Sequence, residues 1–168
     1  NRFGLGARPG ELARIGDDPR GWLATQISGA RPIAAPLRAL PSSAHVFQSF
    51  TELQEARRKA RNEAKGEGDL AKKFAGTVRQ KLAPMYLDQV AARYQVAVQS
   101  EESFRERLVH FWTNHFAVSA DKPQLIALAG TLENEAIRPH VSGRFVDLLL
   151  AVEAHPAGQE LDREFSGA

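Results

Sequence analysis

The sequence predicts an all-α fold, an irregular helical bundle with a protruding antiparallel two-helix arm. Three observations predict it. Apolar residues recur three and four positions apart in every long segment. No run alternates with the period of two that a half-buried strand needs; Ala117-Val118 and Val96-Ala97-Val98 are too short or too embedded in helical pattern. Proline, glycine and short polar residues stand where helices start and stop.

The elements follow in order. Asn1 to Gly10 carries Gly4, Gly6 and Gly10 and reads as a loop before a short helix at Glu11 to Ile15. The glycine spacing does not match a dinucleotide fingerprint, and no strand precedes it. Asp17-Asp18-Pro19 opens the next helix: an Asp accepts from free amides and proline fits the first turn. That helix runs through Trp22, Leu23 and Ile27 until Gly29. Pro32, Pro36 and Pro41 make residues 30–41 an extended linker, because the residue before a proline avoids the helical region.

Ser42 or Ser43 caps a long helix with Val46, Phe47, Phe50 and Leu53 on one face. Its later part, Glu55 to Arg61, has helix formers but nothing to bury. Gly66-Glu67-Gly68-Asp69 is a break with Asp69 as N-cap, and Leu70, Phe74, Val78 and Leu82 form the facing stripe. Pro84 ends or kinks that helix, after which Leu87, Val90, Ala91, Tyr94 and Val98 continue an apolar stripe. A helix over about 102–116 opens with acidic residues, where the helix dipole favours them. Asp121-Lys122-Pro123 starts a further helix through Leu125, Leu128, Leu132 and Ala136. A last one runs from about Arg144 to Ala154 and is closed by Pro156.

On this reading residues 1–41 hold the N-terminal helices and linker, 42–99 the arm, 100–157 the helical core segment and 158–168 a tail, all in one domain of a longer protein. Hydrophobic residues at 43% and charged residues at 25% are ordinary globular values and exclude a disordered chain. The net charge of +2 gives little reason to expect a nucleic-acid partner, and no aromatic platform accompanies the basic residues. No apolar run approaches the roughly 20 residues of a membrane span. Without cysteine there are no disulfides or thiolate metal sites.

The chemistry-bearing residues are few. On a wheel at about 100° per residue, Phe104, Leu108, Phe111, Trp112 and His115 share an apolar sector, with Arg107, His110 and Asn114 opposite. His115 is therefore expected in the core. His110 and His115 project roughly 140° apart, so they do not form a two-histidine metal motif. A metal at His115 would draw on Glu133, Glu135, His140 or His155, but no ligand spacing supports one and no cofactor is expected. Glu135 and Arg138, three apart, read as a surface pair, with His140 in the following connection. Arg57, Arg58, Arg61, Lys72 and Lys73 make the arm basic and are candidates for an anionic partner.

Several segments carry a family resemblance. Asn1-Arg2-Phe3-Gly4-Leu5-Gly6 with Pro9-Gly10-Glu11-Leu12 resembles the opening of a bacterial family, domain of unknown function 1800. Arg107 to Phe116, Glu135 to His140, Gly143-Arg144-Phe145, Asp147-Leu148-Leu149 and His155-Pro156-Ala157 resemble its later segments. The match is specific at 1–12 and 105–157 and loose across the arm. Family members are usually longer, so the resemblance is to their N-terminal part, and beyond Ala157 this chain departs from the family pattern. The resemblance implies an exported protein, periplasmic or secreted, and carries over no catalytic residues.

Two functions are expected to compete. One is a non-catalytic module for assembly or partner binding, presenting an exposed apolar patch to a protein partner or to the C-terminal part of the same protein. The other is a metal-dependent or acid/base enzyme domain centred on His115, with Glu135 and His140 beside it. The sequence names no reaction, substrate or oligomeric state.

Overall fold

The structure, a computed structural model, describes residues 1–29, 31–63, 68–118 and 125–159. Among the described residues every regular element is helical. In order these are α1 (Glu11–Ile15), α2 (Pro19–Ile27), α3 (Ala35–Arg38), α4 (Ser43–Glu63), α5 (Gly68–Gln99) and α6 (Ser103–His115). Then come α7 (Leu128–Thr131), a π-helical segment (Leu132–Ile137), α8 (Arg138–His140) and α9 (Phe145–Ala154).

Local chemistry explains most boundaries. The Asp18 carboxylate accepts from the Gly21 amide at 2.8 Å and starts α2, as expected, with Pro19 behind it. Gly29, at φ 73°, takes the left-handed conformation just past its end. The linker departs from the expectation of a fully extended segment. Pro36 lies in the first turn of the one-turn helix α3, where its missing N–H costs nothing. Pro84 also departs from expectation, because α5 runs through it. Gln80 loses its amide partner there, but both positions face solvent and water can replace it. Helix α9 ends at Ala154 as expected, yet the chain resumes helical turns after Pro156. The expected helix start at Asp121-Lys122-Pro123 and the Asp69 cap lie outside the described residues and side chains.

α4 and α5 pack antiparallel. The Arg57 guanidinium stands 4.7 Å over the Phe74 ring, and Glu52 pairs with Lys81 at 3.5 Å. The core forms where this pair meets the C-terminal helices, around Val46, Val78, Leu82, Val109, Leu132 and Leu148. A smaller cluster of Leu37, Ala92 and Val96 holds the linker on α5. The N-terminal loop lies along α6, with the Phe3 and Phe104 rings edge-on at 6.0 Å and Arg107 donating to the Gly4 carbonyl at 2.8 Å. Glu11, almost wholly buried, receives the Arg8 amide at 2.8 Å. The Gln26 side chain reaches across from α2 to accept the Phe104 amide at 2.9 Å, satisfying a free N–H at the start of α6.

Candidate functional site

The wheel for α6 has the right period but is rotated: Leu108 and Trp112 pack on the core and Arg107 and Asn114 are exposed, as expected. Arg105, Glu106 and Val109 are buried and His110 is half-buried, while Phe111 and His115 face solvent. His115 therefore does not sit in the core. Its ring lies among Phe111, Trp112 and Phe116, with centroids 6.4, 5.5 and 4.8 Å away. The inward side shifted towards Glu106 and Thr113 because Arg138 and Glu133 meet them there.

Glu133 comes from the π-helical segment, Arg138 from the start of α8 and Arg93 from α5. Glu133 is 3% exposed. Its Oε1 accepts from Arg138 Nε at 3.1 Å and Nη2 at 2.8 Å. Its Oε2 accepts from Thr113 Oγ1 at 3.1 Å and lies 2.8 Å from Arg93 Nε. Arg138 Nη1 in turn donates to Glu106 Oε1 at 2.9 Å. Residues five apart project about 140° apart on an α-helix. The wider π turn, which bonds i to i+5, brings Glu133 and Arg138 to one side. The expected Glu135–Arg138 surface pair is thus replaced by a buried Glu133–Arg138 pair.

Burial works against the Arg138 charge. Hydrogen bonds to Glu106 and the fields of Glu133 and Glu106 outweigh it and hold the guanidinium above its ordinary pKa. His110 is pushed below its usual value by burial first and by Arg93 second. Its Nε2 is buried with no hydrogen-bond partner.

The other sequence candidates separate. Glu135 accepts from the Ser43 amide at 2.7 Å and from Ser43 Oγ at 2.5 Å, which fastens the start of α4. Its Oε2 is also 3.5 Å from His155 Nε2. His155 is buried, and its Nδ1 accepts the Ala157 amide at 3.1 Å, so the proton of the neutral ring is on Nε2. Among the described residues no hydrogen bond or ion pair joins His115 to Glu135 or His140. Among the described residues no three His, Asp or Glu side chains converge as metal ligands, so His115, His140 and His155 do not gather around one point. Of the arm residues, Arg57 covers Phe74, Arg58 is exposed, and Arg61 and Lys73 are each engaged; the Lys72 side chain lies outside the described residues.

The sequence profile of the family described as "Protein of unknown function (DUF1800)" matches residues 1–158. The chain belongs to the DUF1800 family. No curated protein and no solved structure matches it. Among the described residues of this DUF1800 chain, no helix is long and apolar enough to cross a membrane.

Two clefts flank the charge cluster. One, of about 220 Å³, opens beside Gln89, Arg93, Thr113 and Glu133. The other, of about 470 Å³, lies between the linker and α6, with Arg105, Glu106 and Arg138 in its wall. On the outer surface, Phe111 and Trp112 meet at 5.0 Å and Trp112 meets Phe145 at 5.5 Å. Val146 and Leu150, four apart on α9, are also exposed. Phe111 and Phe145 are 58% and 52% exposed, which makes the DUF1800 chain's α6–α9 face aromatic and open to solvent.

Sequence reasoning passed over Arg93, Arg105, Glu106, His110 and Thr113 as site residues. One signal was available. Glu106, His110 and Thr113 are spaced by four and three, a polar stripe as regular as the apolar one.

Proposed function

We propose that this domain is a protein-binding module of an exported bacterial protein, working in assembly rather than catalysis. The observation that carries the reading is the open aromatic face of α6 and α9. Large apolar side chains left in water cost free energy that a covering surface would recover, at roughly 25 cal/mol per Å². Contiguous exposed apolar patches on soluble domains mark interaction sites. Aromatic anchors inside a charged rim are the usual anatomy of a protein interface. Here Arg144 and Asp147, paired at 3.0 Å and exposed, provide such a rim beside Phe145. The partner is a protein surface with an apolar strip of its own. Export is proposed from the family resemblance.

A photo-crosslinking amino acid placed at position 111 in the native bacterium tests the reading, with position 58 as an exposed control. The expected result is one discrete protein adduct at 111, recovered from the periplasmic or secreted fraction and absent when Phe145→Asp is added. Equal adducts at 111 and 58 would overturn partner binding. Recovery only from the cytoplasm would overturn export.

A further inference from the structure

The second half of α5 carries an apolar stripe that the fold leaves open. Leu82, Gln89 and Val96, each seven residues after the last, mark the buried side of the helix. Leu82 is in the core, Gln89 donates to the Ala127 carbonyl, and Val96 packs with Leu37 of the linker. Leu87, Ala91, Tyr94 and Val98 stand on the other side, spaced by four, three and four, and all four are exposed. That alternation is the a/d repeat of a coiled-coil seam. At about 100° per residue, the buried row projects about 170° from the middle of the exposed one. So α5 has two apolar sides, and the described residues cover one of them.

Size along the stripe selects its cover. Ala91 and Val98 are the narrow positions, and Leu87 and Tyr94 are the wide ones. A parallel copy would set Tyr94 on Tyr94 and Ala91 on Ala91, crowding one layer and leaving a void in the next. An antiparallel copy, on a two-fold axis between residues 92 and 93, sets Leu87 against Val98 and Ala91 against Tyr94, twice each. Every layer then joins a wide side chain to a narrow one, as close packing requires. A two-fold contact uses the same patch on both partners, and this patch is its own complement.

Charge agrees with size. Between Leu82 and Gln99 only Asp88 and Arg93 are charged, and Arg93 is held by Glu133 at 2.8 Å. In the antiparallel register Asp88 lies near Gln95 of the second copy, whose amide can donate to it, and no like charges meet. A seam with a single carboxylate gives a strongly charged partner nothing to match.

We propose that α5 is a self-association helix, through which two copies of this chain pair antiparallel on Leu87, Ala91, Tyr94 and Val98. A seam of four layers is at the small end of specific interfaces, so the dimer is reversible, with a Kd on the order of 10–100 µM. The contact does not use the α6–α9 face, so it and partner binding stand or fall independently.

Sedimentation equilibrium of the purified chain from about 5 to about 500 µM tests it, with a monomer–dimer equilibrium as the expected result. Leu87→Lys and Tyr94→Lys, at exposed positions, should keep the helical circular dichroism and remain monomeric. Phe145→Asp should dimerise like the parent chain. The chain has no cysteine of its own, which allows a test of direction. Leu87→Cys and Val98→Cys chains, mixed and oxidised, should link to each other. Neither should link to itself, because like positions lie about 16 Å apart along an antiparallel pair. A chain monomeric at the highest concentration would overturn the proposal, as would a dimer that survives Tyr94→Lys or is lost in Phe145→Asp. So would Leu87→Cys linking to itself, or the absence of the mixed disulfide.

Discussion

Two histidines at the edge of the core are held neutral by different means. The Ala157 amide points at Nδ1 of His155, so a proton there would face another N–H. Burial lowers its pKa, and Glu135 opposes the shift without overcoming it. His110 is lowered by burial and by Arg93, against the pull of Glu133 and Glu106, with Arg138 adding to the lowering. In both cases the unfolded chain binds the proton more readily than the folded one. Stability is therefore full above the unfolded histidine pKa of about 6.5 and falls as the pH drops towards the lower folded values. Urea unfolding at a series of pH values from 7.5 down to about 5 should show this decline. His110→Gln with His155→Gln should remove most of it. An equally steep decline in the double variant would assign the effect to carboxylates instead.

Elements meet closely where the sequence supplies the smallest residue. Gln89 of α5 donates to the Ala127 carbonyl at 2.8 Å just before α7. A Cβ at Gly130 would lie 2.4 Å from Gln89 Oε1 and 2.7 Å from Gln89 Cβ. The second contact is at the root of the side chain, so rotation of the amide cannot relieve it. Gly130→Ala should therefore destabilise the fold by about 1–3 kcal/mol, despite the better helix propensity of alanine. Chemical denaturation measures this directly. A neutral or stabilising result would show that α5 and α7 can separate freely. The same packing explains the stripe on α5. Leu87, Tyr94 and Val98 have helical spacing but are 62%, 60% and 70% exposed, while Leu82, Gln89, Ala92 and Val96 face inward. Past Pro84 the helix carries two faces of similar apolarity. The wheel alone does not say which one meets α7 and the linker.

At the scale of the molecule, the Glu106–Arg138–Glu133–Arg93 cluster joins α5, α6, the π segment and α8 through charged groups away from bulk water. Removing one member strands the others. Arg138→Ala leaves Glu106 and part of Glu133 without donors, and should cost about 3–5 kcal/mol in a urea-unfolding experiment. Arg138→Lys should recover only part of it, because an ammonium cannot serve two carboxylates with the planar fork. A loss below about 1 kcal/mol for Arg138→Ala would mean that water already screens the cluster. The core beside it is built from Leu, Val and Ile of helices far apart in sequence, so the charged and apolar parts of the interior cover each other's ends.

By itself the sequence determined the all-helical class, the start of α2 at Asp18, the bounds of α1 and α6, and the family. These follow from local chemistry: side-chain caps, the fixed ring of proline and a period of 3.6 act within a few residues. Only the tertiary structure decided which side of α6 faces inward, the direction of the second half of α5 and the pairing of Glu133 with Arg138. Hydrophobicity gives a helix a period and two faces. Arg138, held by the buried Glu133 and more than twenty positions past α6 in sequence, rotated the inward face towards Glu106. His115 went to solvent and Glu106 to the interior because ion pairs with Arg138 can be made on only one side of that helix.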